Sequence, residues 1–161
     1  MTDGAFEMIF EVRWGDLDPN QHMRNTAYPE FANHLRHTFF AKRGFSFARL
    51  EKMGVGPVIF SENLQYLREV RLGQRLAMDL QVAGLAPDFS RWRYRHDAWR
   101  LGEEDGVDTE RILAAVITLE GSWFDLRERR VVPPPKDALG LLDGLPRTKD
   151  YEELPPIRRR D

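Results

Sequence analysis

The strongest constraint on the fold is a single stretch of helical periodicity that lies between segments with the periodicity of strands. Across residues 26–43, apolar side chains recur at i, i+3, i+4, i+7 and i+11, the spacing of one helix face, at Tyr28, Phe31, Ala32, Leu35 and Phe39. The spacing predicts an amphipathic helix of about 16 residues, or ~24 Å at ~1.5 Å per residue. Asn25 or Thr26 is suited to cap its start, Gly44 is suited to end it, and Arg36 falls outside the apolar face.

The other regular segments show mainly the alternation of period two that is typical of strands. One strand precedes the helix at residues 6–14, and its apolar parity runs from Phe6 to Trp14. A short second helix is predicted at residues 47–53, and four strands follow at residues 57–70, 75–85, 91–101 and 111–126. Short turns between the later strands favour an antiparallel meander. The chain is therefore predicted to be an α+β protein in which one long helix packs on a five-stranded antiparallel sheet.

Composition indicates an ordinary globular protein and excludes several classes of function. The chain has 161 residues, a formal net charge of −2 and no cysteine, which argues for one domain without disulfides, cysteine-ligated zinc or a cysteine nucleophile. No apolar run reaches the ~18 residues of a membrane span, and the N-terminus lacks a signal-peptide pattern, so the cytoplasm is the expected location. Prolines concentrate after Val131. We therefore divide the chain into a domain at residues 1–132 and a proline-rich extension at residues 133–161, which is expected to be extended or loosely docked.

The segment that reads GDLDPNQHMRN, residues 15–25, lies between the first strand and the long helix and is almost entirely polar. As a turn, it would use Asp16 and Asp18 to leave the strand and enter the helix. As a site, it would place a carboxylate beside a helix N-terminus, whose free N–H groups and positive dipole can hold a carbonyl oxygen that gains negative charge. Asp18 could attack that carbonyl or activate water, with Asn20 and His22 on the same side of an extended loop. The residue types alone leave both readings open.

The same segment, in this order of elements, resembles the hotdog-fold thioesterase superfamily. The motif D-L-D-x-N-Q-H-x-x-N of plant acyl-carrier-protein thioesterases is matched at seven positions, which are Asp16, Leu17, Asp18, Asn20, Gln21, His22 and Asn25. The 4-hydroxybenzoyl-CoA thioesterase branch has a similar G-D-x-D-P, matched at Gly15, Asp16, Asp18 and Pro19. In layout the resemblance spans residues 6–123. It implies a single hotdog domain, in which a sheet wraps the long helix, and subunits that pair their sheets edge to edge with sites at the interface.

The resemblance also implies roles for individual residues of the motif. The second aspartate is catalytic in both branches, which implies Asp18. The plant enzymes add the asparagine two residues on and the histidine four residues on, which implies Asn20 and His22. In the hydroxybenzoyl branch a backbone N–H at the helix start polarises the thioester carbonyl, and the matching position is Asn25.

A further catalytic residue is implied by the segment YLREV. It resembles the plant segment Y-R-R-E-C, whose glutamate matches Glu69. Two positions depart from the plant pattern, because Leu67 replaces an arginine and Arg24 stands where the plant motif has an asparagine.

Four residues are predicted to bind the substrate: Tyr28, Glu62, Ser90 and Arg91. Glu62 falls in the otherwise apolar parity of its strand, where a carboxylate would be partly buried and would need a partner, either a substrate or the other half of a salt bridge. The alternation at residues 91–96 puts three arginines on one strand face, either in cross-strand charge pairs or against the phosphates of coenzyme A. Because the loop before this strand touches the nucleotide in the hydroxybenzoyl branch, the resemblance favours Ser90 and Arg91.

The motif and the resemblance predict an enzyme that hydrolyses acyl thioesters, foremost acyl-CoA, to free acid and thiol, with Asp18 as nucleophile or general base and the helix N-terminus as oxyanion hole. No cofactor is expected beyond coenzyme A as part of the substrate, and no metal, although His22, His34 and His37 could be read as ligands. The expected partners are an acyl-CoA or acyl-carrier-protein thioester and further copies of the chain, in a homodimer or homotetramer.

Nucleic acid is not an expected partner, because the net charge and the acidic loop at residues 103–108 oppose it. Two other functions stay open. One is a hotdog hydratase or dehydratase that acts on acyl thioesters, and the other is a non-catalytic acyl-CoA-binding module.

Overall fold

The computed structural model describes residues 5–102 and 110–157, so the acidic loop at residues 103–108 lies outside the described residues. The helices and strands, in chain order, are β1 (Phe6–Glu11), α1 (Ala27–Lys42), α2 (Phe47–Met53), β2 (Val55–Tyr66), β3 (Arg75–Leu85), β4 (Arg91–Leu101), β5 (Arg111–Asp125), β6 (Arg130–Val131) and β7 (Arg147–Glu153). Single 3₁₀ turns lie at Trp14–Asp16 and Lys136–Ala138. Within the described part of the chain, no helix is both long and apolar enough to cross a bilayer.

The strands form one sheet, and α1 packs on one face of it. The strand order is β1-β3-β4-β5-β2, with antiparallel neighbours throughout, while β6 pairs with β5 and β7 adds to β3 in parallel. Side chains of α1, including Leu35 and Phe39, share one apolar core with β3, β4 and β5. The predicted α+β arrangement of a long helix on a five-stranded antiparallel sheet is confirmed. Only β3, β4 and β5 form a meander, however, because β1 and β2 lie at opposite edges.

The two ends of α1 are held in different ways. At the C-terminus, Gly44 has a φ of +85°, and the N–H groups of Gly44 and Phe45 donate to carbonyls of the last turn at 3.0 and 2.9 Å, which forms a Schellman motif. At the N-terminus, Thr26 makes no side-chain capping bond. The predicted end at Gly44 is therefore confirmed, whereas the predicted cap by the side chain of Asn25 or Thr26 is not formed.

β1 ends earlier than its alternation predicts. Trp14 was expected on the buried face, but β1 ends at Glu11 and the Trp14 side chain is 80% exposed. The cause is the 3₁₀ turn, in which the Asp16 carboxylate accepts from the N–H of Arg13 at 2.9 Å and from its guanidinium at 2.9 and 3.0 Å. These bonds from Arg13 hold the pKa of the buried Asp16 below its usual range. The turn directs the chain towards α1.

β2 is an edge strand with one open side, which changes the environment of Glu62. Its pairing with β5 is interrupted by a bulge at Phe60, and the strand ends at Tyr66 rather than near residue 70. Glu62 lies opposite the buried Leu119 and therefore shares the inner face of the sheet, yet its side chain is exposed. The prediction that Glu62 is partly buried is wrong, because β2 is the last strand on this side of the sheet in the described part of the chain.

The segment after Val131 packs on the core instead of docking loosely. Ala138, Leu141 and Leu145 are buried members of the core, and β7 extends the sheet beside β3. Gly84 permits this approach, because a Cβ there would lie 2.8 Å from the carbonyl oxygen of Glu152. The prediction of an extended or loosely docked tail is therefore wrong for residues 138–154. The division of the chain at residue 132 stays a prediction.

α1 also carries a buried charge that its periodicity does not predict. Arg36 is 5% exposed, and its guanidinium contacts Asn33 and lies 2.7 Å from Nε2 of His96. His96 Nδ1 lies 2.6 Å from the carbonyl oxygen of Asp79, so this nitrogen carries the proton and Nε2 accepts from Arg36. Burial lowers the pKa of His96 to about 3 and that of Arg36 to about 10. A neutral imidazole thus anchors a guanidinium inside the core.

Candidate active site

The polar segment between β1 and α1 folds back on itself. The N–H of Asp18 donates to the carbonyl of His22, and the N–H of Gln21 donates to the carbonyl of Asp18, both at 2.9 Å. Gln21 takes the left-handed conformation with a φ of +63°. The expectation of an extended loop is therefore wrong. A tight turn sets the positions of Asp18 and His22 instead.

The Asp18 carboxylate is held at one oxygen and open at the other. Oδ1 accepts from the N–H groups of Asn20 and His22 at 2.9 and 3.2 Å, as in an Asx turn. No protein group in the described ranges bonds to Oδ2, and the side chain is half-buried. The turn reading and the site reading are thus compatible, because the backbone fixes the carboxylate and leaves one oxygen for a substrate.

Arg24, the departure from the plant motif, ties this loop to the first turn of α1. Its Nε donates to the carbonyl of Gly15 at 3.2 Å, and its Nη atoms contact the Thr26 hydroxyl and, at 3.2 and 3.3 Å, the Glu30 carboxylate. Its own N–H donates to the carbonyl of Asp16 at 2.7 Å. Arg24 therefore holds the loop in register with the helix.

His22 meets the carboxylate of Glu69. His22 Nε2 lies 3.1 Å from Glu69 Oε2, and an Nη atom of Arg71 lies 3.1 Å from the same oxygen. The backbone joins the two segments, because His22 forms a β-bridge with Arg71 and the N–H of Met23 donates to the carbonyl of Val70 at 2.7 Å. Glu69 is thereby placed to orient the imidazole of His22.

Most of the predicted site residues face one open cavity of about 570 Å³. Asp18, His22, Asn25, Tyr28 and Glu69 all line it. Asn20 instead lines a neighbouring cavity of about 510 Å³, which it shares with Asp18 and His22. Asp18 and His22 form the wall between the two spaces, and Asn20 lies on the far side of it.

The start of α1 offers this cavity an unused backbone donor. Asn25 precedes the first helical residue by two positions, and its N–H has no hydrogen bond to residues 5–102 or 110–157. The Tyr66 hydroxyl donates to the carbonyl of Asn25 at 3.3 Å, and its ring packs edge-on against Tyr28 with centroids 5.5 Å apart. Burial raises the pKa of Tyr28 to about 12, so this wall carries a neutral phenol.

Three predicted substrate-binding residues do not line this cavity, namely Glu62, Ser90 and Arg91. Ser90 is buried, and its hydroxyl donates to Asp88 at 2.6 Å. Arg91 pairs with Glu120 at 2.7 Å, one of several charge pairs on that strand face. The structure thus favours the cross-strand interpretation of the arginine face, and substrate contact by these three residues stays a prediction.

The histidines that could be read as metal ligands are not brought together. His34 borders a groove beside β1, and His37 packs on the ring of Phe47. In the part of the chain that the structure describes, no three His, Asp or Glu side chains are placed to hold a metal ion.

Sequence reasoning missed three polar residues of the cavity: Tyr66, Arg68 and Arg100. Tyr66 and Arg68 belong to the segment YLREV, so their proximity to Glu69 was an available signal. Arg100 comes from the end of β4, and its Nη1 donates to the carbonyl of Glu69 at 2.9 Å. Only the strand order brings it here, and no local pattern could have indicated it.

Comparison with known families gives a match over most of the chain. The family model described as the thioesterase-like superfamily matches residues 12–142, a range that includes the loop, α1 and the sheet from β2 to β5. No curated protein matches the chain in sequence.

Solved structures share the fold at low identity. A Staphylococcus aureus protein in complex with CoA has a TM-score of 0.76 and 18% identity, with 100% of this chain and 92% of that chain covered. A 1,4-dihydroxy-2-naphthoyl-CoA thioesterase from Synechocystis has a TM-score of 0.73 and 14% identity, with 86% and 96% covered. A DHNA-CoA thioesterase from Staphylococcus aureus has a TM-score of 0.67 and 17% identity, with 80% of each chain covered. These likenesses confirm the predicted hotdog fold.

Proposed function

The chain belongs to the thioesterase-like superfamily, and on that premise we propose that it hydrolyses acyl thioesters, foremost acyl-CoA, to a free acid and a thiol. The observation that carries the proposal is the Asp18 carboxylate, which two backbone N–H groups fix at one oxygen in the cavity that also holds Asn25. Acyl transfer requires such a pair, an attacking group and a donor for the carbonyl oxygen. The CoA complex of the Staphylococcus aureus neighbour supports coenzyme A as the thiol part.

The proposed mechanism begins with the thioester carbonyl oxygen accepting the N–H of Asn25. Asp18 then follows one of two routes. As a nucleophile, its Oδ2 attacks the carbonyl carbon, the C–S bond breaks, and water hydrolyses the resulting anhydride. As a general base, it takes a proton from the water that attacks. Both routes consume one water and release acid and thiol. After a single turnover in heavy-oxygen water, label in the Asp18 carboxylate is diagnostic of the anhydride.

His22, Glu69 and Asn20 serve as positioning residues in this mechanism. Glu69 lies 3.1 Å from His22 and sets the orientation of the imidazole, which shares a wall with Asp18. Asn20 donates its N–H to the Asp18 carboxylate at 2.9 Å. Tyr28 lines the same cavity, where it contacts the acyl group.

Thiol release tests this function directly. We expect free thiol, read with a coloured thiol reagent, from at least one member of a panel of short, long and aromatic acyl-CoA thioesters, in equal amount to the free acid. A hydratase would change the acyl chain without releasing thiol. A binding module would bind acyl-CoA to saturation with neither product. Absence of thiol release across the panel would contradict the proposal.

We also propose that the chain forms a homodimer through the open edge of β2, and that the dimer can associate further into a tetramer. The edge exposes Ile59, Phe60 and Tyr66 at 38%, 51% and 51%. Unpaired strand edges with apolar side chains favour pairing with another strand. Tyr66 also lines the candidate site, so a partner strand here would complete one wall of the cavity.

Charge placed on this edge should separate the subunits. Sedimentation of the unaltered chain should give about twice the 18.8 kDa of one chain or a multiple of it. Ile59→Glu with Phe60→Glu should give the single-chain mass, because two pairs of carboxylates would face each other across a symmetric interface. Leu139→Glu, at a residue of the tail that is 42% exposed, is the matched control and should leave the mass unchanged. A monomeric unaltered chain at micromolar concentration would rule out the dimer.

A further inference from the structure

Two arginines line the candidate cavity without a carboxylate partner. Arg68 lies two residues after the end of β2, and Arg100 is the penultimate residue of β4. The Arg68 guanidinium donates to the carbonyl of Leu67 at 2.6 Å, and that of Arg100 donates to the carbonyl of Glu69 at 2.9 Å. Neither forms an ion pair within residues 5–102 and 110–157. Each guanidinium therefore keeps most of its five N–H donors for another acceptor.

The neighbouring charges explain why these two cations stay available. The nearest carboxylate along the chain, Glu69, is already engaged by His22 and Arg71, each at 3.1 Å. Asp18 accepts its two backbone N–H bonds at Oδ1, and neither arginine contacts its carboxylate within residues 5–102 and 110–157. The backbone bond from Arg100 to Glu69 brings its guanidinium to the residue next to Arg68, and both arginines line the same cavity.

We propose that Arg68 and Arg100 form an oxyanion-binding subsite that holds an anionic group of the substrate while its thioester lies at Asp18. The subsite rests on the proposed thioesterase function and names the chemistry of the substrate. Two guanidinium groups suit a phosphate or a carboxylate, because each can donate two parallel N–H bonds to such a group. The anion would come either from the phosphates of coenzyme A or from a carboxylate on the acyl chain.

The location differs from the one that the sequence favours for phosphates. Arg91 and Arg93 share the Glu120 carboxylate at 2.7 and 2.6 Å, and Arg93 also pairs with the Glu152 carboxylate. The charge at the start of β4 is thus already neutralised, whereas the charge beside Glu69 is not. An anion gains more from the unpaired cations, since no existing ion pair has to be broken.

Matched thioesters separate the two sources of the anion. We would measure KM and kcat for three substrates: a neutral acyl-CoA, the same acyl group on N-acetylcysteamine, which has no phosphate, and a terminal-carboxylate acyl group on N-acetylcysteamine. Arg68→Gln and Arg100→Gln should each raise KM about tenfold for the substrates that carry the recognised anion, with kcat within about threefold, as expected for the loss of a charge-assisted bond. A rise for the acyl-CoA alone assigns phosphate, and a rise for the carboxylate alone assigns the acyl chain.

The controls distinguish a binding role from a structural one. Arg147→Gln removes the same charge from β7, where the guanidinium stacks on Tyr151 at 4.3 Å, and should change no KM. An equal rise of KM for all three substrates, or no rise for any, overturns the subsite. A rise caused by Arg91→Gln but not by Arg68→Gln or Arg100→Gln overturns it in favour of the start of β4.

Calorimetric titration keeps the subsite testable if no thioester is hydrolysed. Coenzyme A and glutarate are the two probes, and at least one should bind the unaltered chain about tenfold more tightly than either variant. Equal binding to all three proteins overturns the subsite whatever the outcome of the thiol assay. Binding that depends on the arginines, without hydrolysis, retains the subsite and rejects the enzymatic function alone.

Discussion

Asp18→Asn should reduce the rate of thioester hydrolysis by about 10³-fold while the protein stays folded. The amide oxygen of asparagine can accept the same N–H bonds from Asn20 and His22 that the Asp18 carboxylate accepts at 2.9 and 3.2 Å. The turn is therefore kept. An amide is neither a base nor a nucleophile at neutral pH, so either proposed route loses its first step.

The matched control is the same substitution two residues earlier. Asp16 is buried and bonded to Arg13, and it does not line the cavity. Asp16→Asn should lower the melting temperature, because the Arg13 guanidinium loses a charged acceptor. Its kcat, measured well below that temperature, should fall far less than that of Asp18→Asn. Activity of Asp18→Asn within tenfold of the unaltered chain would show that the catalytic carboxylate lies elsewhere.

Local periodicity correctly predicted the elements whose buried and exposed faces in the fold match their apolar and polar positions in the sequence. α2, β3 and β4 have the predicted bounds, and α1 differs by one residue at each end. The alternation in β4 also places its side chains correctly, with Trp92 and Tyr94 buried and the arginines between them on the outer face. β3 and β4 are central in the sheet, where neighbours on both sides enforce the pattern of the sequence.

The errors lie where contacts that a periodic pattern does not show decide the environment of a side chain. Glu62 shares the apolar parity of β2 but is exposed, because no strand in the described ranges lies beyond β2. Arg36 belongs to the polar positions of α1 but is buried, because His96 of β4 offers it an acceptor. Trp14 leaves the apolar parity of β1, because Asp16 and Arg13 close a turn beneath it. None of these partners can be identified from a periodic pattern.

The residues of the candidate site also differ in whether a local motif could indicate them. Asp18, His22 and Asn25 come from one segment, so a motif could indicate them together. Glu69 was implied by resemblance, and the structure places it 3.1 Å from His22. Arg100 reaches the cavity through the pairing of β4 with its neighbours, and this pairing is a property of the whole sheet.

Gly121 is the position at which one added carbon should cost the most stability. It lies in β5, opposite Ile59 of β2 on one side and Trp92 of β4 on the other. A Cβ there would lie well under 3.0 Å from the carbonyl oxygen of Val58 and from the indole ring of Trp92. Neither obstacle can move freely, because one is backbone and the other is a buried ring that stacks on Tyr94 with centroids 4.5 Å apart.

Gly121→Ala should therefore lower the free energy of unfolding by about 3 kcal/mol, since overpacking a tight core forces backbone or rotamer shifts. For a chain of this length, that loss lowers the melting temperature by roughly 6–12 °C. Gly56→Ala is the matched control, because Gly56 lies in the neighbouring strand and a Cβ there meets only Leu126, at 3.8 Å. Its melting temperature should stay within a few degrees of the unaltered value.

A second substitution keeps this prediction testable if Gly121→Ala does not fold alone. Trp92→Leu removes the indole but leaves the carbonyl of Val58 in place. When Gly121→Ala is added to Trp92→Leu, it should therefore still lower the free energy of unfolding, but by less than it does in the unaltered chain. If Gly121→Ala cost no stability in the Trp92→Leu protein, the indole would be the sole obstacle. A Gly121→Ala melting temperature equal to that of Gly56→Ala would mean that β2 does not approach β5 as closely as described. Because β2 carries Tyr66 of the cavity and the open edge of the sheet, the close approach at Gly121 also fixes the place of the candidate site.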